Sequence, residues 1–270
     1  MLGPFLFACT DIGLFDSRLD RANRLAQDAG WRKLEIAAGR FLLTGYLKNS
    51  HETGNHLNIY IEGDGNAWEK RRQLASDPTP REPLVLKLAM RDPGDLVLYL
   101  ARPCQYVTEA TSRGCHPVYW SSARYSEDVV WSINHAIEKV RASLKATNIT
   151  LLGYSGGGVI AALVAARRND VRRLTTIGAN LDINAWTSIH GVSPLNESLN
   201  PIDFASQLKD LPQCHLVGGK DAIVPPSITN QYFLAINGSA NAKKVIVPNF
   251  DHTCCWAEAW PNLLKRCDEL

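Results

Sequence analysis

Ile149-Thr-Leu-Leu-Gly-Tyr-Ser155-Gly-Gly-Gly158-Val-Ile-Ala-Ala-Leu-Val164 passes from a short apolar strand, through a serine among glycines, into an apolar helical stretch. Gly153-Tyr-Ser155-Gly-Gly157 is a G-x-S-x-G pattern lying between strand and helix, the context that gives it meaning. A nucleophile projected from so sharp a turn leaves no room for side chains two positions away on either side, hence the glycines. The helix start leaves backbone N–H groups unpaired beside the serine, and the Gly156 N–H is placed to donate to a developing oxyanion. Ser155 is the candidate nucleophile.

Outward from this turn, strands and helices alternate. Arg40–Tyr46, His56–Ile61 and Asp95–Leu100 read as strands before it, with a hairpin loop expected over the polar residues Lys48–Asn55. Leu84–Ala89 has helical spacing, and Ser126–Lys145 reads as a long helix with Val129, Val130, Ile133, Ile137, Val140 and Leu144 on one side. After it come strands at Leu174–Ile177, Cys214–Val217 and Lys244–Val247, separated or followed by helices near 202–208, 226–236 and 253–266. The pattern predicts a mostly parallel central sheet with helices on both faces. The domain reading is an N-terminal segment over 1–30, ending in a short amphipathic helix outside the main fold, and one α/β domain over 31–270.

The length of 270 residues and the hydrophobic share of 45% suit a single large core and exclude disorder or coiled coil. With 29 basic against 27 acidic residues there is no electrostatic case for nucleic-acid binding. The expected partner is a small-molecule acyl substrate, with no cofactor and no metal. The oligomeric state is left open.

A serine nucleophile needs a base and an orienting carboxylate. Of the histidines after Ser155, His215 lies in a strand and His190 in a turn-rich loop. His252 follows the last strand and is the expected base. The expected acid is Asp221 in Gly218-Gly-Lys-Asp-Ala-Ile-Val-Pro225, with Asp182 the alternative; Asp251 is too close in sequence to turn toward His252. The loop after the early strand, Glu62-Gly-Asp-Gly65, should add a second oxyanion donor, the amide of Asp64 or Gly65. Trp68, Tyr106, Tyr119, Trp120 and Trp186 are candidates to line an apolar acyl pocket.

The stretches Tyr60-Ile-Glu-Gly-Asp-Gly-Asn-Ala-Trp68, Leu100-Ala-Arg-Pro-Cys104 and Asp251-His-Thr-Cys-Cys-Trp256 carry a resemblance. Over roughly residues 40–265 the chain resembles the α/β-hydrolase superfamily, and within it a group of hydrolases from bacterial cell-envelope proteins. The resemblance implies an α/β-hydrolase fold without a large cap domain, with Ser155, Asp221 and His252 matching nucleophile, acid and base. It implies a serine hydrolase acting on an ester or related acyl bond, with thioesterase, lipase and peptidase open. The departure is Glu62-Gly63, where esterases and lipases commonly carry His-Gly.

Two other classes compete. Gly156-Gly-Gly158-Val-Ile-Ala161 also fits G-x-G-x-x-A, a dinucleotide-binding fingerprint, although several strands precede it. A catalytically inactive binding protein on the same fold is the other alternative. The remaining signal is cysteine. Cys104 and Cys115 bracket ten residues of one loop and are a candidate disulfide. Cys214, Cys254, Cys255 and Cys267 suit a second bridge of open pairing. Leu6-Phe-Ala-Cys9 resembles a lipobox, which makes Cys9 a candidate for lipidation and membrane attachment. Setting Cys9 aside leaves six, an even number that favours an oxidising compartment. The expected location is the bacterial cell envelope, periplasmic or lipid-anchored, with the cytoplasm as the alternative.

Overall fold

The computed structural model describes residues 17–48, 54–70, 73–236 and 238–268; Cys9 and the rest of the lipobox lie outside them. Among the described residues the strands are β1 (Arg32–Ala38), β2 (Phe41–Leu47), β3 (His56–Ile61), β4 (Trp68–Lys70), β5 (Gln73–Leu74), β6 (Val97–Leu100), β7 (Asn148–Tyr154), β8 (Val171–Ile177), β9 (Gln213–Gly218) and β10 (Ala242–Val247). The helices are α1 (Arg18–Asp28), α2 (Leu84–Ala89), α3 (Glu127–Ser143), α4 (Gly156–Ala165), α5 (Ile183–His190), α6 (Ala205–Leu208), α7 (Pro226–Ala235) and α8 (Trp256–Asp268).

One sheet has the order β1-β2-β6-β3-β7-β8-β9-β10, and β4 with β5 forms a small separate hairpin. Only β2 runs against its neighbours, pairing antiparallel with β1 and β6. The remaining neighbours pair in parallel. The expected hairpin between β2 and β3 does not form, because β6 lies between them: Gly45 pairs with Leu100 on one side of it, and Ile59 with Leu98 on the other. Every residue of β6 is buried, and a strand with no polar face belongs inside a sheet covered on both sides. Two elements beyond those expected are β1, an edge strand with alternate residues exposed, and α5.

Successive side chains of β3 divide between the two faces. Leu57, Ile59 and Ile61 join a core with α3, α4, α6 and α7, whereas Tyr60 joins one with α1, α2 and α8. Helix α4 is buried along its whole length, as an apolar helix opened by three glycines must be. Burial of its Val159, Ile160, Leu163 and Val164 stabilises by roughly 1.5–3 kcal/mol each. Helix α1 starts with a Ser17/Asp20 capping box and packs Ala22 and Ala26 onto the second face, so it is part of the packed structure. Helix α8 begins three residues later than the periodicity suggested, since Asp251 Oδ1 accepts from the amides of Thr253 and Cys254 and holds that stretch as a turn.

Three cysteine pairs form disulfides: Cys104–Cys115, Cys214–Cys267 and the sequence neighbours Cys254–Cys255. The second ties β9 to α8. No helix among the described residues is long and apolar enough to cross a membrane.

Candidate active site

The carboxyl ends of β3, β7, β8 and β9, with the segment after β10, bring the site residues together. Ser155 occupies the turn from β7 to α4 with φ 51°, left-handed backbone that a residue with a side chain seldom adopts. The turn is pinned by Ser155 N donating to the Ile177 carbonyl at 2.9 Å and Gly158 N to the Ser155 carbonyl at 3.0 Å. A Cβ on Gly153 would lie 2.3 Å from the Gly157 carbonyl oxygen, the crowding expected from the motif.

His252 bridges the other two groups. Its Nε2 lies 3.0 Å from Ser155 Oγ and its Nδ1 2.8 Å from Asp221 Oδ2. The other Asp221 oxygen accepts from the amides of Ile223 and Val224 at 2.9 and 2.7 Å, so the buried carboxylate has partners on both oxygens. The His252 carbonyl accepts from the Tyr154 hydroxyl at 2.8 Å and the Trp256 indole at 3.0 Å, which fixes the backbone carrying the ring.

The alternative residues have other partners. Asp182 caps α5 by accepting from Ala185 N, His190 contacts the Ile223 carbonyl, and Asp251 caps its own turn. His215 is fully buried between Thr176 and Gln213, and burial pushes its pKa down to about 3. Cys254 and Cys255 are bonded to each other, and no cluster suited to a metal ion occurs among the described residues.

On the opposite wall stands Glu62-Gly63-Asp64-Gly65. The Asp64 side chain, rather than its backbone, is the unexpected feature. Its carboxylate accepts from Arg102 at 3.1 Å, Arg124 at 3.2 Å and the Tyr125 hydroxyl at 2.6 Å, and Arg102 also donates to the Arg124 carbonyl. Burial alone would raise the Asp64 pKa, but the Arg124 and Arg102 guanidiniums and the Tyr125 hydroxyl hold it below the usual carboxylate range. The caged carboxylate abuts the first turn of α4: a Cβ on Gly156 would meet Asp64 Oδ1 at 2.1 Å. A negative group at a helix N-terminus is favourable, and here it occupies space that a nucleotide phosphate would need. The Asp64 amide has no acceptor among the described residues.

Glu62 is 2% exposed and accepts from Gly63 N at 3.0 Å and the Tyr99 hydroxyl at 2.9 Å. Burial pushes its pKa up to about 7. The cage had no signal in residue spacing, because its members come from distant segments, and the Tyr99 partner of Glu62 lies 37 positions away.

These walls enclose a cleft of about 750 Å³ containing Ser155, His252, Asp64, Gly65, Trp68 and Trp186. Tyr106 and Trp120, expected in its lining, are elsewhere. Tyr106 is 2% exposed and packs near Tyr99, and Trp120 is buried with its indole donating to the Ala75 carbonyl. Tyr119 packs edge-on against Phe41. Loop aromatics followed the larger apolar area available in the core. Cys104 and Cys115 staple the segment between Arg102 and Arg124 without lining the cleft themselves.

A family model described as the alpha/beta hydrolase fold matches residues 113–191. An esterase from Pyrococcus furiosus superposes with a TM-score of 0.62 at 13% identity, over 89% of this chain and 93% of that one. Est1E from Butyrivibrio proteoclasticus gives 0.62 at 14% identity, over 88% and 99%. An acylaminoacyl peptidase from Pyrococcus horikoshii gives 0.62 at 11% identity, over 87% of this chain and 39% of that one. No curated protein matches the sequence. At such identities the likeness is one of fold.

Proposed function

For a chain with the α/β-hydrolase fold, we propose the activity of a serine hydrolase that cleaves a carboxylic ester or related acyl bond of a small molecule. The observation that carries the reading is the hydrogen-bonded series Ser155–His252–Asp221 opening onto the cleft.

Ser155 Oγ attacks the acyl carbon while its proton passes to His252 Nε2. Asp221 accepts from Nδ1–H, holding the tautomer that can receive this proton and stabilising the imidazolium. The amides of Gly156 and Asp64, with Gly65 the alternative to Asp64, hold the negative oxygen of the tetrahedral intermediate. His252 returns the proton to the leaving alcohol, leaving an acyl-serine. A water then gives its proton to His252 and attacks the acyl carbon; collapse releases the acid and restores Ser155. The dinucleotide reading has the Asp64 carboxylate against it, where the pyrophosphate would approach.

The site of action we propose is the bacterial cell envelope, supported by six paired cysteines, a chemistry suited to oxidising compartments. Cys9 keeps its proposed role as a lipid attachment point.

A fluorophosphonate probe should label the wild-type protein at Ser155 and leave Ser155→Ala unlabelled. Equal labelling of both proteins would refute the assignment, and dinucleotide quenching of tryptophan fluorescence without labelling would favour the rival.

A further inference from the structure

Strand β3 ends at Ile61, so the sheet no longer fixes the backbone of the loop that follows. Side chains do so instead. Gly63 N donates to Glu62 Oε1 at 3.0 Å, and Gly63 O accepts from Gln105 Nε2 at 2.9 Å. The second bond matters because Gly63 O belongs to the same peptide unit as the Asp64 amide. No peptide bond among the described residues is cis, so this N–H points away from its neighbouring carbonyl. Gln105 lies behind the loop: it is 2% exposed and outside the cleft lining, whereas Gly63 and Asp64 are part of that lining. A carbonyl turned back toward Gln105 therefore turns the Asp64 N–H to the cleft side. The nucleophile is close by, since a Cβ on Gly63 would lie 3.5 Å from Ser155 Cβ.

Gln105 is itself held firmly. Its Oε1 accepts from Arg102 N at 3.1 Å. That amide can only donate and Gly63 O can only accept, so the two partners fix which end of the carboxamide faces the loop. The flanking Cys104 and Tyr106 have φ 71° and 54°, left-handed backbone that persists only where the surroundings over-determine it. On one side the Cys104–Cys115 disulfide holds the turn. On the other, Tyr106 N donates to Thr79 Oγ1 at 2.8 Å and Tyr106 O accepts from Thr44 Oγ1 at 2.9 Å. Gly65 leaves room for the same side chain, because a Cβ there would meet Gln105 Nε2 at 2.8 Å.

We propose that Gln105 is a positioning residue, which orients the Gly63–Asp64 peptide so that the Asp64 amide meets the oxyanion formed when Ser155 attacks. This rests on the serine-hydrolase reading, and it selects Asp64 rather than Gly65 as the second donor. Gln105 touches no substrate. Its effect belongs to the transition state, because the substrate oxygen gains its charge only there and a donor already aimed at it needs no reorganisation.

The test measures nitrophenyl butyrate turnover and inhibition by hexyl trifluoromethyl ketone in wild-type protein and in Gln105→Met, which keeps the length but has no donor. Ser155 Oγ adds to the ketone carbon, its proton passes to His252, and the carbonyl oxygen becomes an oxyanion in the position of the intermediate's. In Gln105→Met kcat should fall by about tenfold or more, part of the roughly 10²–10³ that deleting an oxyanion donor costs, with KM within about threefold. The inhibition constant should rise by the same factor as kcat/KM falls. Wild-type values in the folded variant, or a change in KM alone, overturn the inference. If Gln105→Met does not fold, Gln105→Glu decides. A neutral acid can donate to Gly63 O and a carboxylate cannot, so its kcat relative to wild type should fall as pH rises from about 6 to about 9. A constant ratio overturns the inference, and failure of both variants to fold makes Gln105 a folding residue and overturns it too. Wild-type protein that takes no fluorophosphonate label overturns the serine-hydrolase reading, and this inference falls with it; labelled protein with unchanged variants overturns this inference alone.

Discussion

The two walls of the cleft are built differently. On the Ser155–His252–Asp221 wall, each side chain is set largely by its own turn. Asp221 is held by amides two and three residues on, and the His252 turn is capped by Asp251 through amides two and three residues on. On the Glu62–Gly65 wall, Asp64 is tied to residues 38, 60 and 61 positions away. The first wall comes from strand-end turns that recur wherever parallel strands feed helices. The second is an ion-pair cage that exists only once the sheet has formed. The sheet still has to bring the first wall's three groups together from 31 and 97 positions apart, but there the turns orient each side chain, whereas the Asp64 carboxylate is oriented by the long-range contacts themselves.

The largest effect should come from the local wall. Ser155→Ala removes the proposed nucleophile, and turnover of a short-chain nitrophenyl ester should fall by about 10³-fold or more with the melting temperature nearly unchanged. Residual activity near wild type would remove the basis for calling this wall catalytic.

Next in size are two of the three disulfides, one tied to each wall. Cys214–Cys267 ties β9, which leads to Asp221, to α8, which follows His252; Cys104–Cys115 staples the segment between Arg102 and Arg124. They close 53 and 11 residues, so chain entropy predicts a loss of about 4 kcal/mol for Cys214→Ala/Cys267→Ala and about 3 kcal/mol for Cys104→Ala/Cys115→Ala. Urea unfolding with and without reductant measures both. A reductant that leaves wild-type stability unchanged would mean that neither bond constrains the unfolded chain.

Asp64→Asn probes the nonlocal wall. It leaves two buried guanidiniums without their shared carboxylate, so the loop carrying the Asp64 amide should loosen. The expected loss is about 10²-fold in kcat with a smaller change in KM, because an oxyanion donor acts mainly in the transition state. An effect confined to KM would make Asp64 a substrate-binding group and erase the proposed contrast between the walls.

This contrast also explains what could be read from the sequence. The G-x-S-x-G turn, the order Ser155, Asp221, His252, and most strands were legible because each is a local pattern of period two, period 3.6 or turn chemistry. The position of β6 between β2 and β3 was not, since strand neighbours depend on which strand must be covered on both faces. The Arg102–Asp64–Arg124 cage was not, because an arginine beside a proline and another before a tyrosine carry no local sign of a common partner. Trp120 and Tyr106 misled for the related reason that an aromatic in a loop can turn inward or outward, and the core decides.

The smallest expected effect concerns Glu62, on the nonlocal wall, and is visible only through pH. Burial raises its pKa to about 7 from the ordinary 4.5. Between those values the folded protein keeps a proton that the unfolded chain has released, so stability declines as pH rises from about 4.5 to 7 and levels off above. Glu62→Gln keeps the shape and can still bond Gly63 N and Tyr99 but carries no charge. At pH 8 it should be more stable than wild type by on the order of 2 kcal/mol, and at pH 5 most of the gap should close. Urea unfolding at the two values decides it: an equal gap at both would mean that Glu62 titrates normally and that burial on this wall carries no electrostatic cost. A gap that opens with pH would locate that cost in the loop that supplies the Asp64 amide, the wall whose geometry depends on the assembled fold.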